Sequence, residues 1–319
     1  MEIEGGRFLV TGGAGFIGAN LVETLLKSGA EQVVIYDNFL RGTLKNVEEA
    51  IKDPRTVCIK DGADLRDLNS IQTACERMDG VFHLASLCLG QCQKQPREGL
   101  DINVIGTYNL LEACVNTGVK RIMFASSSSV YGNAVYSPMD ETHPFRNKNF
   151  YGATKIAGEA IIHAFYHAYG LEHLNFRFMN VYGPKQDYKG VYVAVIIKII
   201  DRVNQGLPPI IYGNGEQTFD FVYVDDACNS LLLGMESDIT TEALNISSGI
   251  PTSIKELAEI ILNIMGSDLP IEYHKQDETT LVVDRLGSRN KAEEMIGFTA
   301  STTLKNGIQK VIDWKLSKN

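Results

Sequence analysis

Arg7-Phe8-Leu9-Val10-Thr11 runs without interruption into Gly12-Gly13-Ala14-Gly15-Phe16-Ile17-Gly18, and the reading of this stretch decides the fold. The first five residues read as a short buried strand, and Phe16 to Ser28 has the spacing of a helix. Between them the glycines can be taken as Gly12-x-x-Gly15-x-x-Gly18 or as Gly13-x-Gly15-x-x-Gly18. Glycine lets the backbone turn tightly and approach a pyrophosphate, whose charge then faces the amides of the helix N-terminus. In isolation a purely structural glycine turn would look the same. Roughly twenty residues on, where a dinucleotide fold places its ribose-binding acid, Asp37 ends the next apolar run, Gln32 to Tyr36. A carboxylate there accepts hydrogen bonds from the ribose hydroxyls and repels a 2′-phosphate. Arg41 follows that acid and does not replace it. The expected cofactor is NAD.

The same alternation continues outward. Thr56 to Lys60, Val81 to Leu84, Arg121 to Ala125 and Glu172 to Phe178 read as strands. Leu68 to Glu76, Gly99 to Thr117 and Tyr151 to Tyr169 read as helices, the last stopping at Gly170. Apolar strands alternating with helices imply a parallel sheet covered on both faces. After Asn180 the rhythm changes, with Pro184, Pro208-Pro209, Gly213 and Gly215 punctuating shorter pieces. The expected fold is α/β: a doubly wound parallel (Rossmann) sheet with a smaller C-terminal α/β substrate lobe. Residues 1–180 would form the NAD-binding domain, a segment near 216–235 would return to it, and 181–319 would be mainly the substrate lobe.

The bulk numbers set the class. A chain of 319 residues, 44% hydrophobic and 22% charged, is an ordinary globular protein with room for a large core. Its net charge of -9 argues against a nucleic-acid partner. No run approaches the roughly 18 apolar residues of a membrane span, and the first ten residues lack the long apolar stretch expected of a signal peptide. Six scattered cysteines suit free thiols in a reducing cytoplasm, the expected location.

Two further stretches carry chemistry. Tyr151-Gly-Ala-Thr-Lys155 sets a phenol and an ammonium four residues apart, on one face of a helix. An ammonium near a phenol, beside an oxidised nicotinamide, stabilises the phenolate, which can then take a proton from an alcohol near neutral pH. Alone, this spacing is common on a solvated helix face. Ala125-Ser126-Ser127-Ser128-Ser129-Val130-Tyr131-Gly132 follows a strand and sets hydroxyls at its C-terminal edge, where doubly wound sheets bind ligands.

In order and spacing these elements resemble the NAD-dependent epimerase/dehydratase family of extended short-chain dehydrogenases/reductases, most of all its UDP-glucose 4-epimerase-like members. The likeness also takes in Asp37-Asn38, Asp64-Leu65-Arg66-Asp67, His83-Leu84-Ala85-Ser86 and Asn103-Val-Ile-Gly-Thr107. It continues through Arg177-Phe-Met-Asn-Val-Tyr-Gly-Pro184 and Phe221-Val-Tyr-Val-Asp-Asp226, spanning nearly the whole chain. The resemblance implies Ser127, Tyr151 and Lys155 as the catalytic trio. Around the cofactor it implies Gly12, Gly15, Phe16, Ile17, Gly18, Asp37 and Asn38, with Asp64 and Leu65 flanking the adenine. Leu84, Ala85, Ser86 and Phe178 would line the dinucleotide, Asn103 would sit below the active site, and Lys155 would also hold the nicotinamide ribose. For the substrate it implies Ser127, Ser128, Asn180 at the diphosphate and Arg285 at a nucleotide phosphate. The implied activity is C4 epimerisation of a UDP-hexose-type nucleotide sugar through a 4-keto intermediate, in a homodimer. A 4,6-dehydratase or ketoreductase is the alternative, and a non-catalytic NAD-binding protein the remote one.

Departures bear on that choice. Phe219-Asp220-Phe221 replaces the family's Arg-Asp-Phe/Tyr, so one phosphate-binding arginine is missing, and Cys88 stands where some 4-epimerases have lysine. The 4,6-dehydratases carry Asp-Glu where this chain has Ser128-Ser129. Serines do not titrate near neutrality, so a dehydratase would need another carboxylate, such as Asp140 or Glu141. No metal is expected: His163 and His167 lack the glutamate of the protease motif, and Cys88 with Cys92 lacks a second pair. His83 reads as a satisfied core histidine.

Overall fold

The computed structural model describes residues 1–186, 194–275 and 285–317. Six strands succeed one another through the first half: β1 (Arg7–Thr11), β2 (Gln32–Tyr36), β3 (Thr56–Ile59), β4 (Gly80–His83), β5 (Arg121–Ser127) and β6 (Glu172–Phe178). Short β7 (Asn180–Tyr182), β8 (Ile210–Tyr212) and β9 (Thr218–Tyr223) follow, then β10 (Glu242–Ile246), β11 (Pro251–Ser253) and β12 (Glu272–His274). The helices are α1 (Phe16–Lys27), α2 (Leu68–Cys75), α3 (Leu89–Lys94), α4 (Pro96–Leu100), α5 (Gly106–Thr117) and α6 (Phe150–Tyr169). After them come α7 (Val195–Asn204), α8 (Val224–Glu236), α9 (Ile254–Ile264), α10 (Asn290–Ile296) and α11 (Leu304–Leu316).

Seven strands form one parallel sheet in the order β10-β6-β5-β4-β1-β2-β3. The direction in which successive strands are added reverses at the β1/β4 pair, the switch point at which such sheets open a crevice. The strands bury both faces, which is why they read as continuous apolar runs. Phe8, Val10, Val33, Ile35 and Phe82 meet α1 and α8 on one face, while Leu9, Val34, Val81, Ile122 and Phe124 meet α2, α5 and α6 on the other. Ile197, Leu257, Ile261 and Val311, from α7, α9 and α11, join the first of these clusters. The remaining strands form two small sheets, β11-β9-β7 and β12-β8. Among the described residues no helix is long and apolar enough to cross a membrane.

Two elements depart from the sequence reading. The helix expected over Gly99–Thr117 is α4, one wide π turn at Asp101–Ile105, and α5. Proline at the start of α4 supplies its first-turn φ, and the wide turn lets Asn103 point inward. Strand β5 runs two residues past Ala125, because Ser126 and Ser127 pair with Arg177 and Phe178 of β6. Leu174 in β6 is fully buried beneath α8. Leu174→Ala should lower stability by about 2–5 kcal/mol. In urea titration the midpoint should fall with an unchanged slope.

Candidate active site

The glycine loop is held from three sides. Gly12 N donates to Tyr36 O at 2.8 Å, Ala14 N to Asp37 Oδ2 at 2.9 Å and Gly15 N to Gly12 O at 3.1 Å. Gly12 has φ +69°, and a Cβ there would lie 2.8 Å from Ala85 N, so side chains are excluded where β1 meets β4. At Gly18 a Cβ would lie 2.1 Å from Gly12 O, so α1 can press onto the turn only with glycine there. Gly15 differs: its Cβ would meet only Gly12 O, at 3.2 Å, and otherwise the open cleft. The protein itself does not require glycine at this point, whereas a closely approaching phosphate does. Gly15 is also the N-cap of α1, with no side-chain cap and no acid in the first turn. The helix therefore offers its first amides and positive dipole end to an anion.

The cleft beyond this loop has a volume of about 570 Å3 and follows the C-terminal ends of the central strands. Gly12, Gly15, Phe16, Ile17 and Gly18 line its middle, with Asp37, Asn38, Asp64 and Leu65 toward one end. Leu84, Ala85, Ser86 and Phe178 lead to the other end, where Ser127, Tyr151 and Lys155 stand together on the wall. Asp37 keeps both oxygens on backbone amides, Phe39 N at 2.8 Å and Ala14 N at 2.9 Å. Burial pushes its carboxyl up, and those amides pull it back. Asp64 is held below the usual carboxylate range by its ion pair with Arg66. An acid for the ribose, bare glycine backbone and an uncapped helix end together fit NAD.

At the reacting end, Lys155 Nζ donates to Ala125 O at 2.7 Å and lies 5.6 Å from the centre of the Tyr151 ring. Burial pushes the ammonium down to about 8, against a weaker upward pull from Cys92 and Glu159. Burial likewise pushes the Tyr151 phenol up to about 12, while the Ser127 hydroxyl and Arg285 act in the opposite direction. With protein groups alone, then, the phenol keeps its proton at neutral pH. A further positive charge near the pair is needed to release it.

Four expected site residues lie behind the wall. Asn103 accepts from Leu87 N at 2.7 Å and donates to Leu87 O and Thr154 Oγ1, both at 3.1 Å. It braces the neighbour of Lys155 and does not line the cleft. Ser128 is buried, and Arg285 Nη1 reaches its Oγ at 3.4 Å. Arg285 also bridges Phe219 through the backbone, with its own N donating to Thr218 O at 3.0 Å. Asn180 donates to Asp220 O at 3.2 Å, while its neighbours Met179 and Val181 reach the cleft. Pairing of β7 with β9 sets this direction, since alternate strand residues face opposite ways.

The alternative acids do not enter the cleft. Glu141 accepts from Asn245 N at 2.6 Å, and Asp140 is taken up by Thr142 and Tyr136. Cys88 lines the wall as the N-cap of α3. His83 is buried and satisfied, with Nδ1 2.7 Å from Thr11 Oγ1 and Nε2 2.9 Å from Thr107 Oγ1; burial lowers it to about 3, so it is neutral. His163 and His167 approach at 3.1 Å, and among the described residues no cluster of three or more suitable side chains could hold a metal ion. All six cysteines are free thiols. Sequence reasoning missed Trp314, Lys185 and Gln186 on the wall. The one local signal was that Trp314 is the only tryptophan in the chain.

The family model described as GDP-mannose 4,6 dehydratase matches residues 9–311. A putative UDP-glucose 4-epimerase of Methanocaldococcus jannaschii is 36% identical over 314 residues, 98% of this chain and 99% of that protein. The UDP-N-acetylglucosamine 4-epimerase of Methanobrevibacter ruminantium, solved with UDP-N-acetylmuramic acid, has a TM-score of 0.93 at 30% identity, covering 99% of this chain and 100% of that one. For the UDP-glucose 4-epimerase of Thermus thermophilus solved with NAD, the TM-score is 0.85 at 30% identity, with 97% and 98% covered. The glycine loop, the acid after β2 and the Tyr151/Lys155 helix thus sit in a chain that belongs to the NAD-dependent epimerase/dehydratase family of extended short-chain dehydrogenases/reductases.

Proposed function

We propose that this chain is an NAD-dependent nucleotide-sugar epimerase acting at C4 of a UDP-hexose. One observation carries the choice over a 4,6-dehydratase: among the described residues, the only carboxylates on the cleft wall are Asp37 and Asp64, at the end away from Tyr151. Removing a C6 hydroxyl needs an acid and a base beside the sugar, and Ser128-Ser129 supply neither. The similarity to several UDP-sugar 4-epimerases supports the same reading.

In this mechanism Ser127 hydrogen-bonds the 4-hydroxyl and Tyr151, as phenolate, accepts its proton. Lys155, fixed on Ala125 O, stabilises the phenolate and binds the nicotinamide ribose. Bound NAD accepts the C4 hydride and returns it to the opposite face after the 4-keto sugar has turned. Tyr151 then gives the proton back, so there is no net redox change. Arg285, with Ser128 beside it, and Asn180 would meet the substrate's phosphates. The exposed Ile105, Tyr108 and Phe150 of the α5/α6 side support a homodimer through these helices, and six free thiols support a cytoplasmic enzyme.

Tyr151→Phe should lower kcat for UDP-hexose interconversion by about 10²–10⁴-fold while NAD remains bound, measured by product analysis of the purified protein. Undiminished turnover would sink the assignment. Incubation with UDP-glucose or its N-acetyl analogue should yield the C4 epimer. A 4-keto-6-deoxy product or net consumption of reduced cofactor would show the dehydratase or reductase instead. Asp37→Ala should weaken NAD binding about tenfold, a loss of about 1.4 kcal/mol, and narrow discrimination against NADP, as read by calorimetry with each cofactor.

A further inference from the structure

The stripe of α6 that carries Tyr151 and Lys155 continues one turn further to Glu159. Glu159 is 7% exposed, and a carboxylate that deeply buried must be fully paired. Its Oε1 accepts from Ser126 Oγ at 2.5 Å and Arg177 Nε at 3.0 Å, and Oε2 accepts from Arg177 Nη2 at 2.7 Å. Three elements are thereby tied together: β5 through Ser126, β6 through Arg177, and α6 itself. Helix α6 grips the strand end at two consecutive residues, Ala125 through Lys155 and Ser126 through Glu159. Ser127 follows directly.

We propose that Glu159 is a positioning residue of the reaction: with Arg177 it clamps the strand end bearing Ser127 to the helix bearing Tyr151 and Lys155, and its negative charge keeps Lys155 an ammonium in a water-poor site. The inference rests on the reading of Tyr151 and Lys155 as catalytic. Lys155 is faced by Tyr151 and Glu159 from its own helix, Cys92 from α3 and His83 from β4. The thiol is pushed up and the imidazole down by burial, which leaves both neutral. Cys92 and, one turn along the same helix, Glu159 both oppose the burial of Lys155, and of the two Glu159 is the carboxylate. Pure stability gives no reason for an ion pair here, because apolar residues of similar volume often serve a core as well or better.

The test uses the NAD-loaded enzyme and two substitutions. Glu159→Gln alone would strand the Arg177 charge, so the paired variant E159Q/R177Q removes both. Competitive amine labelling across pH reads the ionisation of Lys155 directly, and kcat against pH reads its consequence. In the paired variant the Lys155 titration and the alkaline limb of kcat should both move down by about one pH unit. Above the shifted midpoint kcat should fall about tenfold, with KM within about twofold. Ser126→Ala keeps the ion pair and removes the clamp, so kcat should drop about fivefold while Lys155 titrates as in the wild type. An unmoved Lys155 titration in the paired variant overturns the charge role, and full kcat in Ser126→Ala overturns the clamp. If Tyr151→Phe retains turnover, the catalytic reading itself falls. A dead Tyr151→Phe beside unmoved Glu159 and Ser126 variants overturns this inference alone.

Discussion

Everything in the cleft is measured from one close approach, that of the start of α1 to the carbonyl oxygen of Gly12. No Cβ fits at residue 18 against that oxygen, and none fits at residue 12 against Ala85. The chain leaves β1, turns within van der Waals contact of the end of β4, and enters the helix at once. The first amides of α1 thus open onto the switch point between β1 and β4. Asp37 closes the arrangement from the third side, accepting from Ala14 N inside the loop. The group that would hold a ribose is therefore also the group that sets the pyrophosphate loop, so adenosine and phosphate sites cannot drift apart independently.

The reacting end depends on a different balance. A dry pocket raises a phenol and lowers an ammonium, and both effects are present at Tyr151 and Lys155. Low dielectric also strengthens every charge that remains. A lysine fixed on a backbone carbonyl and a carboxylate one turn away hold positive charge where water would otherwise be required. In the proposed mechanism the phenol would become a base only when a second positive charge stands beside it, which would couple proton removal to the presence of oxidised cofactor. The buried network does not stop at Arg177. It continues to Tyr131 at 2.9 Å and from Tyr131 to Asn245 at 2.7 Å. Asn245 then donates to Met139 O, which also accepts from Ser288 N near Arg285. Helix α6 and the backbone around Ser288, three residues from Arg285, thus share one polar core.

The parts legible in the sequence were those fixed by local rules. Strand spans followed from apolar period, the loop from glycine chemistry, and Asp37 from its distance to the loop; β1, β2 and β6 have the bounds the sequence indicated. What could not be read was set by pairing between distant segments. Strand β5 gains Ser126 and Ser127 only because β6 lies beside it. Asn180 faces Asp220 because β7 pairs with β9. Asn103 points inward through a π turn that no residue pattern announces. Trp314 reaches the cleft from α11, nearly the whole chain away from the glycine loop it helps enclose.

The scaffold itself does not select the reaction, since a UDP-N-acetylglucosamine 4-epimerase and a dTDP-glucose 4,6-dehydratase both superimpose on it closely. On the proposed reading, selection falls to the residues just beyond Ser127. Serines at 128 and 129 can donate and accept hydrogen bonds but cannot exchange a proton with a C6 hydroxyl near neutral pH. The two carboxylates that follow in sequence, Asp140 and Glu141, are committed to Thr142, Tyr136 and Asn245. Withdrawing Glu141 would leave the Asn245 amide buried without its partner, at about 1–3 kcal/mol. The same network that braces α6 therefore holds Glu141 in place, and among the described residues neither it nor Asp140 lines the cleft.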